Sequence, residues 1–259
     1  TLARDASGLG GNGVVVGSTN RIDGVFGGAL QLSRGAYVEV PHTRNLHLTG
    51  TDFTLSMWVR YQGNVDTPRA FMGVDDGTGS QNKWLWVHRG SQSAFHMNDT
   101  NGVQTWLDSD FWDPVVDRWT HVAVTREGPF YTHYRNGRSL GTLESTRQIP
   151  SAMTEPLRIG VAEQSFSFEG VIDDAAMFGR ALSQSEIRTL MDDGIAPYFL
   201  EPVPTAVGTP RTFAVYGTTA DPNGVAPDGW TATVANTSRG WAEAVVVGTD
   251  RSGLYAAAR

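Results

Sequence analysis

The sequence predicts an all-β protein of short antiparallel strands, and three observations carry that expectation. Thirty glycines and twelve prolines in 259 residues supply turn formers throughout. Hydrophobic residues are 40% of the chain but charged ones only 18%, which suits a surface of Ser, Thr, Asn and Gly over a real core. Phe53 to Arg60 alternates strictly, with Phe53, Leu55, Met57 and Val59 on one face and Thr54, Ser56, Trp58 and Arg60 on the other.

The strands follow in order. Ala29 to Leu32 and Ala36 to Val40 bracket a turn at Ser33-Arg34-Gly35. Lys83 to His88 alternates again, with Trp84, Trp86 and His88 on one face. From Trp119 to Thr125, Val122 and Val124 oppose His121 and Ala123. Tyr131 to Leu140 is a hairpin around Asn136-Gly137, the preferred pair for a type I′ turn because both positions need φ > 0. Leu157 to Val161 and Gly170 to Phe178 complete the set, and in the latter the alternation places Asp173 inward with Val171, Ala175 and Met177. One helix is specified. Ser183 caps it, Glu186 closes a capping box, Leu182 and Ile187 form a staple, and Gly194 ends it. Pro197, Pro202, Pro204 and Pro210 then mark a linker over 196–211, and 212–259 carries strand signals at Thr212–Gly217, Trp230–Ala235 and Trp241–Gly248.

A net charge of −7 with a single lysine, Lys83, argues against phosphate-backbone recognition, so no nucleic acid partner is expected. No apolar run of about 20 residues exists, so no membrane insertion by a helix is expected. The absence of cysteine excludes disulfides and thiolate metal sites.

The motifs occur in an order that resembles the laminin-G-like, concanavalin A-like jellyroll family over residues 1 to about 195. They are Asp5-Ala6-Ser7-Gly8, Gly24-Val25-Phe26-Gly27-Gly28-Ala29-Leu30, Tyr37 to Pro41, Phe53 to Val59, Trp119 to Val124, the Asn136-Gly137 hairpin, Gly170 to Asp174, and Arg180 to Ile187. The resemblance implies two curved antiparallel sheets packed face to face, and mostly binding roles toward glycans, matrix or cell-surface partners outside the cell. It also implies a Ca²⁺ near a sheet rim, with Asp5 and Asp173 as ligands and Asp23 beside them. For Asp173 the alternative is that its carboxylate accepts backbone N–H bonds and holds a turn.

For ligand contact the expectation falls on Trp84, Trp86, Asp75, Asp76 and Asn98. Flat rings stack on sugar faces, while amides and carboxylates bind hydroxyls. Trp84, Trp86, Trp106 and Trp112 stand in a Gly/Asn/Asp-rich region; the alternative is that they fill the space between sheets, as Trp58 and Trp119 are expected to do. The Glu-x-Asp-x-(x)-Glu run of β-glucanases is absent, and so are the nucleophile elbow, His-Glu-x-x-His and P-loop patterns, so no enzyme is expected. The expected function is an extracellular carbohydrate-binding or adhesion module, calcium-assisted, on a cell or virion surface. A structural surface protein (a virion decoration or fibre protein, or a surface-layer component), docking to neighbouring subunits through its C-terminal segment, stands as the alternative. An accessory module of a secreted glycan-active enzyme is a second.

Overall fold

A computed structural model of the chain describes residues 2–7, 11–42, 46, 48–63, 65, 67–75, 82–99, 101–150, 153–163 and 165–195, and the backbone of three later strands. The chain divides into two compact units, Thr1–Asp192 and Asp193–Arg259.

The first unit opens with strands β1 (Leu2–Ala3), β2 (Gly13–Val16), β3 (Thr19–Asp23), β4 (Gly28–Leu32) and β5 (Tyr37–Val40). Then come β6 (Phe53–Tyr61), β7 (Arg69–Val74), β8 (Lys83–Arg89), β9 (Gln92–Asn98) and β10 (Gln104–Asp108). The next are β11 (Trp119–Glu127), β12 (Phe130–Arg135), β13 (Arg138–Glu144) and β14 (Leu157–Ile159). A small hairpin, β15 (Val161–Ala162) and β16 (Phe166–Ser167), precedes β17 (Gly170–Phe178) and helix α1 (Gln184–Asp193). In the second unit β18 (Pro210–Phe213), β19 (Thr231–Asn236) and β20 (Ala242–Val247) pair with one another in a three-stranded sheet.

Two antiparallel sheets make the sandwich. One runs β1-β2-β5-β14-β7-β8-β9-β10 and the other β13-β12-β11-β6-β17-β4-β3. Alternation decides which side chains enter the space between them. From β6, Phe53, Leu55, Met57, Val59 and Tyr61 point inward, all at 0% exposure. They meet Phe71 of β7, Trp84 and Trp86 of β8, Phe95 of β9 and Tyr131 of β12. The rings pack tilted and edge-on, with Phe53 5.4 Å from Phe95 and Phe71 4.7 Å from Trp86 between centroids. Each such ring contributes about 1.5–3 kcal/mol by burial. A buried polar link also crosses between the sheets. Trp86 Nε1 donates to Ser93 Oγ at 3.0 Å, and Ser93 Oγ lies 2.9 Å from His133 Nδ1.

The expected turns and cap are present. Asn136 and Gly137 sit at φ 46° and 70° between β12 and β13. Glu186 N–H donates to Ser183 Oγ at 3.3 Å while Ser183 N–H donates to Glu186 Oε2 at 2.9 Å, closing the capping box reciprocally. Gly194 follows at φ 73°. The segment before the helix is tied to β6, since Leu182 N–H donates to Thr54 Oγ1, which donates to Arg180 O. Trp58 and Trp119 differ from expectation. They pair with His121 and Arg60, residues of the outer face, and are half-buried there instead of filling the core. The guanidinium of Arg60 lies 5.2 Å over the Trp119 ring.

Four histidines, His88, His96, His121 and His133, are buried at 2% exposure or less. Burial pushes each down to about 4, because the charged form would lose its hydration. In the unfolded chain they titrate near 6.5. Their contribution to stability is therefore complete above about pH 6.5 and is lost as the pH falls toward 4, by up to about 1.4 kcal/mol per pH unit for each group. Thermal melts between pH 7.5 and 4.5 are expected to show a midpoint that falls steadily below pH 6.5. A flat profile would mean that these imidazoles protonate inside the fold at no cost.

Candidate functional site

A cleft of about 350 Å³ opens at one rim of the sandwich, lined by Arg34, Thr67, Pro68, Arg69, Ser165, Phe166, Ser167 and Glu169. Three segments build it: the β4–β5 turn, the start of β7, and the β15–β16 hairpin running into β17. Ser167 ties them together. Its hydroxyl accepts the Gly35 N–H at 2.6 Å, which seats the turn carrying Arg34. Its carbonyl accepts from Arg69 Nη1 at 2.9 Å, which orients that guanidinium. Gly35 has φ 80°, the left-handed region that lets the turn close, and Ala36 N–H completes it on Ser33 O at 2.9 Å.

Charge is concentrated at this rim. Arg69 is 5% exposed, and Glu169 Oε2 lies 3.7 Å from its Nη1. Burial holds the Arg69 guanidinium below its usual range; Glu169 opposes that shift and the nearby charge of Arg34 adds to it. Arg34 itself is exposed, and among the described residues it makes no hydrogen bond or ion pair. Phe166 is half-buried on Ala70, Leu85, Val87, Ala94 and Ala162, a small apolar cluster apart from the main core. Among the described residues the cleft thus combines two guanidiniums, a carboxylate, three hydroxyl side chains and a ring.

The residues expected to touch ligand lie elsewhere. Trp84 and Trp86 have 0% exposure, and the face they share is the inner one, so they are core rings and not a sugar platform. Trp84 stacks on Phe95 at 5.9 Å and 12°. Asp75 and Asn98 are also at 0%, and Asp75 Oδ1 accepts the Glu163 N–H at 3.2 Å; both side chains are closed off from a surface ligand. Asp76 lies outside the described residues. Trp112 is buried at 3% exposure, whereas Trp106 is half-buried on the outer face. The Trp106 ring is already covered, stacked on His96 at 3.8 Å and lying 3.8 Å from the Arg89 guanidinium, itself paired to both carboxylate oxygens of Asp108.

The carboxylates expected to hold calcium act as backbone clamps. Asp5 accepts the Ser7 N–H on Oδ1 and the Gly11 N–H on Oδ2, both at 2.8 Å. Asp173 Oδ2 accepts the Val25 and Phe26 N–H groups at 2.7 and 3.1 Å, and its Oδ1 accepts the Asp174 N–H at 2.9 Å. A Cβ at Gly24 would lie 2.2 Å from Asp173 Oδ2, so only glycine lets the 24–27 turn fold this closely over the carboxylate. Asp173 pairs with Trp58 and so stands on the outer face, not the inner one expected. A bulge between Asp173 and Ala176, with Asp174 at φ 45°, shifts the alternation after it. Asp23 is exposed. Calcium takes six to eight oxygen ligands. Among the described residues no three His, Asp or Glu side chains converge to hold a metal. The donor set fits N–H clamps and does not fit a calcium site built on these three carboxylates.

Arg34, Arg69, Ser167 and Glu169 were not expected from the sequence to form a site. They come from positions 34, 69 and 165–169 with no shared motif; the only hint is that all the chain's basic residues except Lys83 are arginine.

A family model described as the concanavalin A-like lectin/glucanases superfamily matches residues 32–188. No curated protein matches the chain. Among solved structures, domain 4 of AbnA, a GH43 extracellular arabinanase from Geobacillus stearothermophilus in complex with arabinotriose, superposes with a TM-score of 0.58 at 20% identity, covering 70% of this chain and 88% of that one. The CBM40 of the Ruminococcus gnavus IT-sialidase, bound to α2,3-sialyllactose, gives 0.55 at 15%, covering 63% and 96%. The botulinum neurotoxin serotype G binding domain gives 0.59 at 14%, and this chain, 98% of which is covered, spans 62% of that domain's length. At these identities the likeness shows the fold alone. Among the described residues, no helix is long and apolar enough to cross a membrane.

Two outcomes follow from these placements. Trp84→Ala is expected to cost about 3–5 kcal/mol of unfolding free energy in denaturant titrations; a loss under about 1 kcal/mol would place the ring at the surface. Asp173→Asn puts an amide donor against backbone N–H groups and is expected to cost about 1–3 kcal/mol, while the wild-type melting temperature stays the same in calcium and in EDTA. A calcium-dependent rise in that temperature would show a metal site here.

Proposed function

This chain belongs to the concanavalin A-like lectin/glucanases superfamily, and we propose that it is an extracellular carbohydrate-binding module whose sugar site is the Arg34–Arg69–Glu169 cleft. The single observation that carries the proposal is the composition of that cleft. Guanidinium and hydroxyl groups can donate to ring and hydroxyl oxygens, the Glu169 carboxylate can accept from hydroxyls, and the Phe166 ring offers an apolar face for sugar C–H groups. Part of the site is held before any ligand arrives, since Ser167 orients the Arg69 guanidinium and seats the backbone of the turn that carries Arg34. Preorganisation of this kind lowers the entropic cost of binding.

The reading favours binding over hydrolysis. Most glycoside hydrolases need two carboxyl groups flanking the scissile bond; Glu169 is the one carboxylate among the described residues that line this cleft. The folds shared with an arabinotriose-bound domain and a sialyllactose-bound domain support the same class of activity. Neither calcium nor a virion location enters the proposal.

A glycan array probed with the purified chain tests it. Glycan binding is expected, with Phe166→Ala and Glu169→Gln each weakening it about tenfold, the scale of one lost contact of about 1.4 kcal/mol. Binding that both variants leave intact would move the site elsewhere on the sandwich. An array with no positive glycan would sink the carbohydrate assignment itself.

A further inference from the structure

The cleft adjoins a second surface at the same rim. Its Glu169 carbonyl accepts the Gln62 N–H at 3.0 Å. Gln62 stands two residues beyond Arg60 and shares its face of the sheet. Strand pairing carries a row of side chains across that face. Trp119 of β11 pairs with Arg60 of β6, Arg60 with Val171 of β17, Val171 with Gln31 of β4, and Gln31 with Asn20 of β3. Val59 and Tyr61 point into the core, so Arg60 between them and the residues level with it face outward. Neighbouring strands stand about 4.8 Å apart, so the row runs about 14 Å from Trp119 to Gln31, longer than a single sugar ring.

The side chains of this row suit sugars. Trp119 is half-buried, and the Arg60 guanidinium, 5.2 Å over its ring, steadies it. Arg60 makes no hydrogen bond or ion pair among the described residues, so its N–H donors are uncommitted. Gln31 Nε2 donates to Gln62 Oε1 at 2.9 Å, and Gln62 Nε2 donates to Asp117 Oδ1 at 3.4 Å. These bonds orient the two amides, and each keeps a further N–H donor and a further lone pair. Amides donate and accept, as hydroxyls do, so an uncharged sugar satisfies them.

We propose that a linear, neutral glycan chain lies across this rim, with one sugar in the cleft and the next ones passing over Gln62 onto the Trp119–Arg60–Gln31 row; this rests on the glycan-binding proposal above. The module then reads a stretch of chain and not a single sugar. Phe166 offers a ring to the sugar in the cleft and Trp119 offers one to a sugar further along. Gln62 is the joint, bonded through its backbone to Glu169 and through its side chain to Gln31.

Calorimetric titration of the full chain with arabino-, xylo- and cello-oligosaccharides tests this, each as the disaccharide and the hexasaccharide. In at least one series the hexasaccharide is expected to bind about tenfold tighter than the disaccharide, the scale of one added ring contact with its hydrogen bonds. Trp119→Ala is expected to bring that ratio to about one, the loss of that contact. Arg60→Gln, which keeps both rings, is expected to reduce the ratio as well. Glu169→Gln is expected to weaken both lengths alike and keep the ratio. Equal affinity for both lengths would overturn the extended site while leaving the cleft standing. A ratio that neither Trp119→Ala nor Arg60→Gln changes would overturn the placement of the chain on this row. Hexasaccharide binding lost in Trp119→Ala but untouched by Glu169→Gln would overturn the continuity with the cleft. Failure of all three series to bind would overturn the linear neutral chain, and a glycan array still positive for another sugar would show the carbohydrate module surviving it.

Discussion

The sandwich depends on the period-two alternation of β6 and β8, the strands that supply the largest side chains to the space between the sheets. Phe53, Tyr61, Trp84 and Trp86 interlock with Phe71, Phe95 and Tyr131, all at 0% exposure. A shift of one residue in either strand would turn its own rings to the outer face and bring Thr54, Ser56, Lys83 or Leu85 inward. The hydrogen-bonded link Trp86–Ser93–His133 strengthens the same register with a directional contact between the sheets. The placement of every outer-face and rim residue follows from it.

With the rings spent on the core, the outward faces are left to smaller or already engaged groups. The segment before α1 bonds to Thr54 on one sheet. The β15–β16 hairpin brings Ala162 and Phe166 onto the apolar patch of Ala70, Leu85, Val87 and Ala94 on the other. The cleft forms where that hairpin meets the β4–β5 turn, so its position follows from covering an apolar patch at the sheet's edge. One serine then orients the Arg69 guanidinium and seats the turn that carries Arg34, a short route from backbone structure to chemistry.

Much of the fold was legible in the sequence because its signals are local. The Asn136-Gly137 turn, the Ser183/Glu186 box and the alternation from Phe53 to Arg60 each require only neighbouring residues. Which face was inner was not legible. Spacing puts Trp84 and Trp86 together on one side of β8, but whether that side meets the other sheet is a tertiary fact. Parity also failed at Asp173, where one left-handed residue, Asp174, interrupts the count; aspartate tolerates that conformation without a sequence signature such as glycine. The cleft was hidden for a third reason. Arg34, Arg69 and Glu169 are remote in sequence and share a rim only in the folded chain, with Ser167 bonding both the 33–36 turn and Arg69.

The bulge at Asp173–Ala176 has a further meaning for how this strand tolerates a change of length. Before it, β17 pairs with both β4 and β6; after it, with β6 alone. The strand is therefore two short ladders joined by a spacer, and the spacer is what lets Asp173 clasp the 24–27 turn while Met177 still packs on the core. Deleting one residue there would restore an unbroken strand and force a choice between the clasp and the packing. The strand is thus constrained at this point in length as well as in the identity of Asp173.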